Sequence, residues 1–160
     1  MSACGGTDGN GTSVRAVSGA TPFNGISALF GTSQGTVSGQ PFSVIQIAIH
    51  QVPLWCTPTD AGTPPKTFAA LSIAAVKSGS APVGTGSYPT LVPDGTLRDG
   101  SEGLYYTLVD DVPGPTLDAV SGRLDLSRVD DTAVEGEVDL TLEDGTRIQG
   151  QFSASQCTAQ

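Results

Sequence analysis

The stretch from Ser121 to Cys157 reads SGRLDLSRVDDTAVEGEVDLTLEDGTRIQGQFSASQC, and its alternation decides the fold class. Val134, Gly136, Val138, Leu140 and Leu142 share one parity, while Glu135, Glu137, Asp139, Thr141 and Glu143 share the other. Successive side chains of a strand point to opposite faces, so this segment is a strand with one buried and one wet face. Ile148, Gly150, Phe152 and Ala154 repeat the pattern against Arg147, Gln149, Gln151 and Ser153. Directly opposed residues of an antiparallel pair must share a face, which tests the loop between the two strands. A two-residue Asp144-Gly145 loop pairs Leu142 with Arg147 and fails. A three-residue loop, Glu143-Asp144-Gly145, built as a type I turn with Gly145 left-handed, pairs Leu142 with Thr146 and Leu140 with Ile148. It also sets Phe152 opposite Gly136, so that an aromatic ring covers a strand glycine.

Working outward, Leu124 and Leu126 give a strand before an Asp130-Asp131-Thr132 turn, and the last three strands are expected to form a meander. Ile45, Ile47 and Ile49, with Val44 and Ala48 behind them, predict a central strand buried on much of both faces and ended by Pro53. Phe68 to Val76 is open to two readings. Its alanines and the Phe68, Leu71, Ala75 spacing fit a helix from Thr67 to Gly79, whereas the all-β context favours a strand. Leu104 to Val109 supplies another strand, with Tyr105 and Tyr106 on opposite faces. Val92-Pro93-Asp94-Gly95-Thr96 carries turn chemistry and predicts a second hairpin. The expected fold is all-β: a single antiparallel β-sandwich, or a partly open barrel, over residues 14–160. Residues 1–13 hold four glycines and no aliphatic side chain larger than Ala after Met1, and read as a flexible tether.

The 160 residues suffice for one domain that buries roughly 70% of its unfolded surface without a staple. The 21 glycines and 11 prolines imply many turns. No apolar run reaches the length of a membrane helix; the best, Phe42 to Ile49, is interrupted by Ser43 and Gln46. The first residues lack the charged and apolar regions of a signal peptide, so any export signal is expected to have been removed. Seven basic against sixteen acidic side chains, a net charge of −9, make nucleic acid a poor partner. Fourteen of the acids lie between Asp94 and Asp144, opposed there by Arg98, Arg123 and Arg128. They lack the spacing of a calcium loop and read as a solvated face.

Little in the chain points to catalysis, and no cofactor or metal is expected. His50, the single histidine, shares a face with Gln46 and is expected at an exposed or rim position rather than as a base or ligand. No G-x-S-x-G elbow presents a serine. Asp110-Asp111 and Asp130-Asp131 have the makings of a glycosidase acid pair, yet both sit at turn signals without aromatic neighbours. Trp55, Tyr88, Tyr105 and Tyr106 are candidates for a carbohydrate platform, but a tryptophan beside Cys56 more often packs over a disulfide in a sandwich core. Gly84-Thr85-Gly86 does not sit between a strand and a helix, so no phosphate cradle is indicated.

Cys4, Cys56 and Cys157 form no C-x-x-C pair, which argues against zinc. Cys157 ends the predicted last strand and Cys56 follows a predicted central one, so the two are placed to meet. Their disulfide closes about 100 residues, worth at most roughly 4 to 5 kcal/mol in the chain-entropy model, and implies an oxidising compartment. The alternative is a pair of buried, reduced thiols in a cytosolic protein.

Ser2-Ala3-Cys4-Gly5 is similar to the end of a bacterial lipobox, in which a small residue precedes the cysteine that is diacylated. The polar tether after Cys4 and the exclusion of Cys4 from the expected disulfide accord with that likeness. Ser121-Gly122, Val129-Asp130, Val134-Glu135-Gly136, Asp139 to Gly145, Ile148 to Phe152 and Cys157 resemble the closing strands of small secreted lipoproteins of the myxobacterial type. Gly84 to Pro89 resembles the G-x-Y start of a strand in the same group. The resemblance implies a β fold and a cell-envelope location, outer-membrane-anchored or extracellular, with Cys4 as the lipid attachment site. The expected function is a non-catalytic envelope lipoprotein, a surface binding or structural module. Its expected partners are the membrane, through the lipid, and protein or carbohydrate at the cell surface. The alternative is a secreted adhesin or fibre subunit whose segment from Thr12 to Val17 pairs with a neighbour's sheet edge.

Overall fold

A computed structural model describes residues 11–52, 66–92, 94 and 96–156. Eleven strands follow in chain order: β1 (Ser13–Ser18), β2 (Asn24–Gly25), β3 (Ser27–Val37), β4 (Gln40–His50), β5 (Phe68–Ser78), β6 (Gly86–Pro89), β7 (Gly100–Val109), β8 (Val112–Pro113), β9 (Leu117–Val129), β10 (Ala133–Leu142) and β11 (Arg147–Gln156). Among the described residues there is no helix, and none therefore that is long and apolar enough to cross a membrane. Residues 68–76 are strand: Ala69, Leu71, Ile73 and Ala75 point inward, and the segment pairs with β4 and β7 along its length.

Seven strands close into a barrel in the order β10-β9-β7-β5-β4-β3-β11, with β11 returning to β10. The chain is all-β, as its patterning predicts, but the expectation of purely antiparallel pairing is corrected at one seam. There β11 and β3 run parallel through Ser155↔Leu29 and Gln156↔Phe30. The reason is topological: strand direction cannot alternate all the way round a ring with an odd number of members. Two bulges on β9, at the register shifts opposite Glu135/Gly136 and Thr141/Leu142, bend the sheet towards closure.

The C-terminal meander forms in the expected register. Leu140 pairs with Ile148 and Gly136 with Phe152. The Leu142 amide donates to the Thr146 carbonyl at 2.8 Å, and Gly145 is left-handed at φ 84°. The Asp144 carboxylate braces this loop by accepting from the Thr146 amide at 2.9 Å. Inside the barrel, Val134, Leu140, Leu142, Ile148 and Phe152 meet Ile45, Ile47, Ile49, Leu71 and Ile73 in one core. The outer faces of β9, β10 and β11 carry Arg123, Asp125, Arg128, Glu135, Asp139 and Arg147, a charged exterior opposite to that of a lipid-facing barrel.

Three further expectations are corrected. The hairpin around Asp94 does not form, because β6 pairs with β9 rather than β7 and Thr90 meets Ser101 in a parallel bridge. Local turn chemistry survives there: the Asp94 carboxylate accepts from the Thr96 amide and pairs with Arg98 at 3.0 Å. The segment from Thr12 to Val17 is not a free strand. Ser13 to Val17 belong to β1, which pairs with β11 of its own chain and with β2. The Thr12 hydroxyl accepts from the Ser153 amide at 3.1 Å, so the fold already includes residues assigned from composition to the tether.

Candidate functional site

The β3–β4 hairpin runs on past the seam. β11 meets β3 only at Leu29 and Phe30, so from Gly31 to Val37 strand β3 is paired with β4 alone among the described residues. The hairpin turns through Ser38 and Gly39, with φ of 50° and 78°, the two left-handed residues of a type I′ turn. In such a hairpin the pair flanking the loop, Val37↔Gln40, exchanges hydrogen bonds, and bonded and non-bonded pairs alternate from there. The amides and carbonyls of Thr32, Gln34 and Thr36 therefore point away from β4. Pro41 agrees with this phase: it lies opposite Thr36, where β3 asks for no amide, and its carbonyl accepts from Gly79 on the other side at 2.9 Å.

Beside this edge opens a cavity of about 560 Å³ between β3, β4, the Pro82-Val83 segment and the β9–β10 turn. Its lining is mixed: Phe30, Ile45, Val83 and Val129 are apolar, whereas Thr32, Gln34, Asp130 and Asp131 are polar. Ser43 also lines it. The serine is 4% exposed and its hydroxyl has no hydrogen-bond partner among the described residues. A buried unpaired hydroxyl costs roughly 1–3 kcal/mol and calls for an explanation. A hollow that combines apolar walls with convergent polar groups is a candidate binding site.

The two rim aspartates differ. Asp130 accepts from the Thr132 hydroxyl and amide, from Arg128 and from the Ala133 amide, and these bonds hold its carboxyl well below the usual carboxylate range. It is committed to the turn. Asp131 forms no ion pair among the described residues.

A second hollow of about 560 Å³ lies across the outer faces of β9, β10 and β11, lined by Asp125, Glu135 and Glu137. Its charges are answered within the sheet: Arg123 pairs with Asp125 at 2.7 Å, Arg128 with Glu135 at 3.2 Å, and the Gln151 amide donates to Glu137 at 3.0 Å. It reads as a cross-strand ladder rather than a site.

The residues singled out in the sequence are scattered. Asp110 and Asp111 form the left-handed pair of the β7–β8 turn, at φ of 50° and 63°. Tyr105 is inside the barrel, edge-on to Phe23 at 6.0 Å. Tyr88 is buried and donates to the Gly84 carbonyl at 2.7 Å, and Tyr106 faces outward. They make no shared platform. Cys4, Cys56, Cys157 and Trp55 lie outside the described residues. Among those described, no three His, Cys, Asp or Glu side chains stand close enough to hold a metal ion.

The expectation of a solvent-accessible His50 is corrected. The outer face at this end of the barrel is covered: His50 stacks on Phe68 at 5.2 Å, and Phe68 meets Tyr106 edge-on at 6.3 Å. His50 is 9% exposed, its Nδ1 has no partner among the described residues, and burial pulls its pKa down to about 4. The mouth itself was missed, although Ser43 has the parity of Ile45, Ile47 and Ile49 and so marks a polar group on an inward row. No protein-family model matches this chain, and no curated protein or solved structure matches it either.

Proposed function

We propose that the chain is a non-catalytic binding module of a bacterial cell envelope, an acidic β-barrel held to the membrane through acylated Cys4. The observation that carries the binding part is the cavity beside the β3–β4 hairpin, where apolar walls meet polar groups and, among the described residues, the buried Ser43 hydroxyl has no partner. The absence of a catalytic role rests on position: His50 is packed between strands and aromatics, and both aspartate pairs are turn residues. The lipid anchor rests on the likeness of Ser2 to Gly5 to a lipobox. Two or more acyl chains anchor far more firmly than one, since each buried methylene contributes about 0.8 kcal/mol. The alternative of a fibre subunit built through the N-terminal segment is less favoured, because β1 is already held between β11 and β2.

The test is the intact mass of protein expressed from its full gene in a bacterial host, before and after reduction and alkylation. The expected result is a lipid-sized increment on the Cys4 peptide, with Cys56 and Cys157 alkylated only after reduction. An unmodified Cys4 together with three free thiols overturns the anchor and the oxidising compartment at once.

A further inference from the structure

We infer that the outer wall of β3, β4, β5 and β7 is the face through which two copies of this chain pair about a two-fold axis. The inference goes beyond the binding-module reading and does not rest on the lipid at Cys4. Strands that alternate apolar and polar have one wet face, whereas strands apolar on both sides are covered on both. β4 and β5 are of the second kind. Ile45, Ile47, Leu71 and Ile73 point into the barrel, while Val44, Ala48, Ala74 and Val76 point out. The barrel core covers the inner rows alone. At the outward positions of the four strands Glu102 is the one charged residue, and it is exposed on β7, at the margin of the wall. Among the described residues nothing lies over the middle of the wall: Gly31 and Gln46 are exposed, and a Cβ at Gly31 would meet no atom within 4 Å.

The shape of the wall selects a second copy as its cover. Gln46, Ser72, Ala74 and Leu104 line a hollow of about 290 Å³ in its middle. Near the β3–β4 turn, Val37 and Val92 stand out, 46% and 58% exposed, beside Leu91, which also borders the hollow. A two-fold interface sets residue i against j and j against i. A face that bears both an apolar ridge and a hollow meets that condition by itself, with the ridge of each copy entering the hollow of the other. Charge agrees with this cover. The ion pairs and acids of β9, β10 and β11 lie on the far side of the barrel, so two copies joined wall to wall hold them farther apart than the screening length of about 8 Å at physiological salt. A lipid surface is less suited, because the wall offers no Lys or Arg to headgroups. Four strands about 4.8 Å apart, crossed over about eight residues of about 3.3 Å each, give roughly 500 Å² in flat projection. Side-chain relief and the ridge bring this towards the about 800 Å² that each partner of a stable pair buries.

Sedimentation equilibrium of the full chain tests this, over a concentration series reaching about 1 mM, which brings out even a weak pair. The expected result is a reversible dimer that tightens as salt rises, because screening relieves the repulsion between two chains of net charge −9. Gln46→Lys puts a charge in the hollow and Val92→Glu puts one on the ridge. Each is expected to weaken dimerisation at least tenfold, with circular dichroism and Tm unchanged because both positions are exposed in the single chain. Gln151→Lys makes the same change of charge on the outer face of β11 and is expected to leave the dimer unaltered. An equimolar mixture of the Gln46→Lys and Val92→Glu proteins is expected to regain dimer, since one ridge charge then meets the opposite charge in the facing hollow. Failure of that mixture to regain dimer overturns the pairing of ridge with hollow. A chain that stays monomeric throughout the series overturns the inference, and a fall in the Tm of Gln46→Lys in that monomer assigns the wall to residues 53–65 of the same chain. A dimer indifferent to both wall variants, or lost with Gln151→Lys, places the interface elsewhere and overturns it too. So does a dimer that survives denaturant without reductant, which is linked through cysteine. The state of Cys4 is decided separately by mass.

Discussion

His50 shows what burial does to one titratable group. Its imidazole is held neutral on Phe68, with its pKa drawn from 6.5 to about 4 by desolvation. As pH falls through 6.5 the unfolded chain takes up a proton that the folded chain refuses until about 4. The unfolded state then binds more protons, so the contribution of His50 is fully present above 6.5 and is lost between 6.5 and about 4. The loss is up to about 3 kcal/mol, reduced by whatever water reaches the ring from the rim. Urea unfolding of the native protein and of His50→Phe, measured from pH 7 to 4, checks this: the carboxylates act on both curves, and the native protein is expected to lose more stability than the variant across that window. Parallel curves exclude a buried neutral His50. The parity of His50 was legible in the sequence. Its burial was not, because Phe68 and Tyr106 arrive from strands β5 and β7 and no local pattern announces them.

At the scale of elements, the β10–β11 hairpin was read from sequence down to its register, since face matching leaves one loop length. Phe152 locks that register. It is 2% exposed and lies opposite Gly136, where a Cβ would run into the Asp125 carbonyl oxygen of β9. Phe152→Ala is expected to cost about 3–5 kcal/mol, because both the ring and the cover it gives the glycine are lost. Thermal and urea unfolding check the value, and a cost below about 1 kcal/mol, typical of a surface site, excludes the packing described. The Asp94 turn was legible as chemistry and misleading as a hairpin. Its carboxylate caps Thr96 as the motif demands, but β6 pairs with the middle of β9 instead. The segment from Thr12 to Val17 was legible as a strand, while its partner was not.

Across the whole molecule, the acidic surplus meets a barrel whose exposed ion pairs are few and individually weak. Raising ionic strength from about 10 mM to 150 mM shortens the screening length from about 30 Å to 8 Å. Repulsion among the acids is then damped more than the cross-strand pairs lose, and Tm is expected to rise by a few degrees in a salt series read by calorimetry or circular dichroism. A fall in Tm shows instead that pairs such as Arg147–Asp139, at 2.9 Å, dominate.

The sequence by itself determined the inward rows of β4, β10 and β11 and the final meander, because alternation and turn chemistry act over a few neighbouring residues; it left residues 68–76 open and did not mark β3. It determined the acidic exterior and the apolar interior for the same reason. The tertiary structure alone decided how the ring closes: β1 against β11, with Thr12 and Ser153 bonded across 141 residues, and β11 parallel to β3. It also decided where the hollow lined by Ser43 lies, between the β3–β4 hairpin and the β9–β10 turn. Every strand edge offers the same amides and carbonyls whatever its side chains, so no local pattern names its partner. That choice falls to the twist, the bulges and the odd number of strands in the closed barrel.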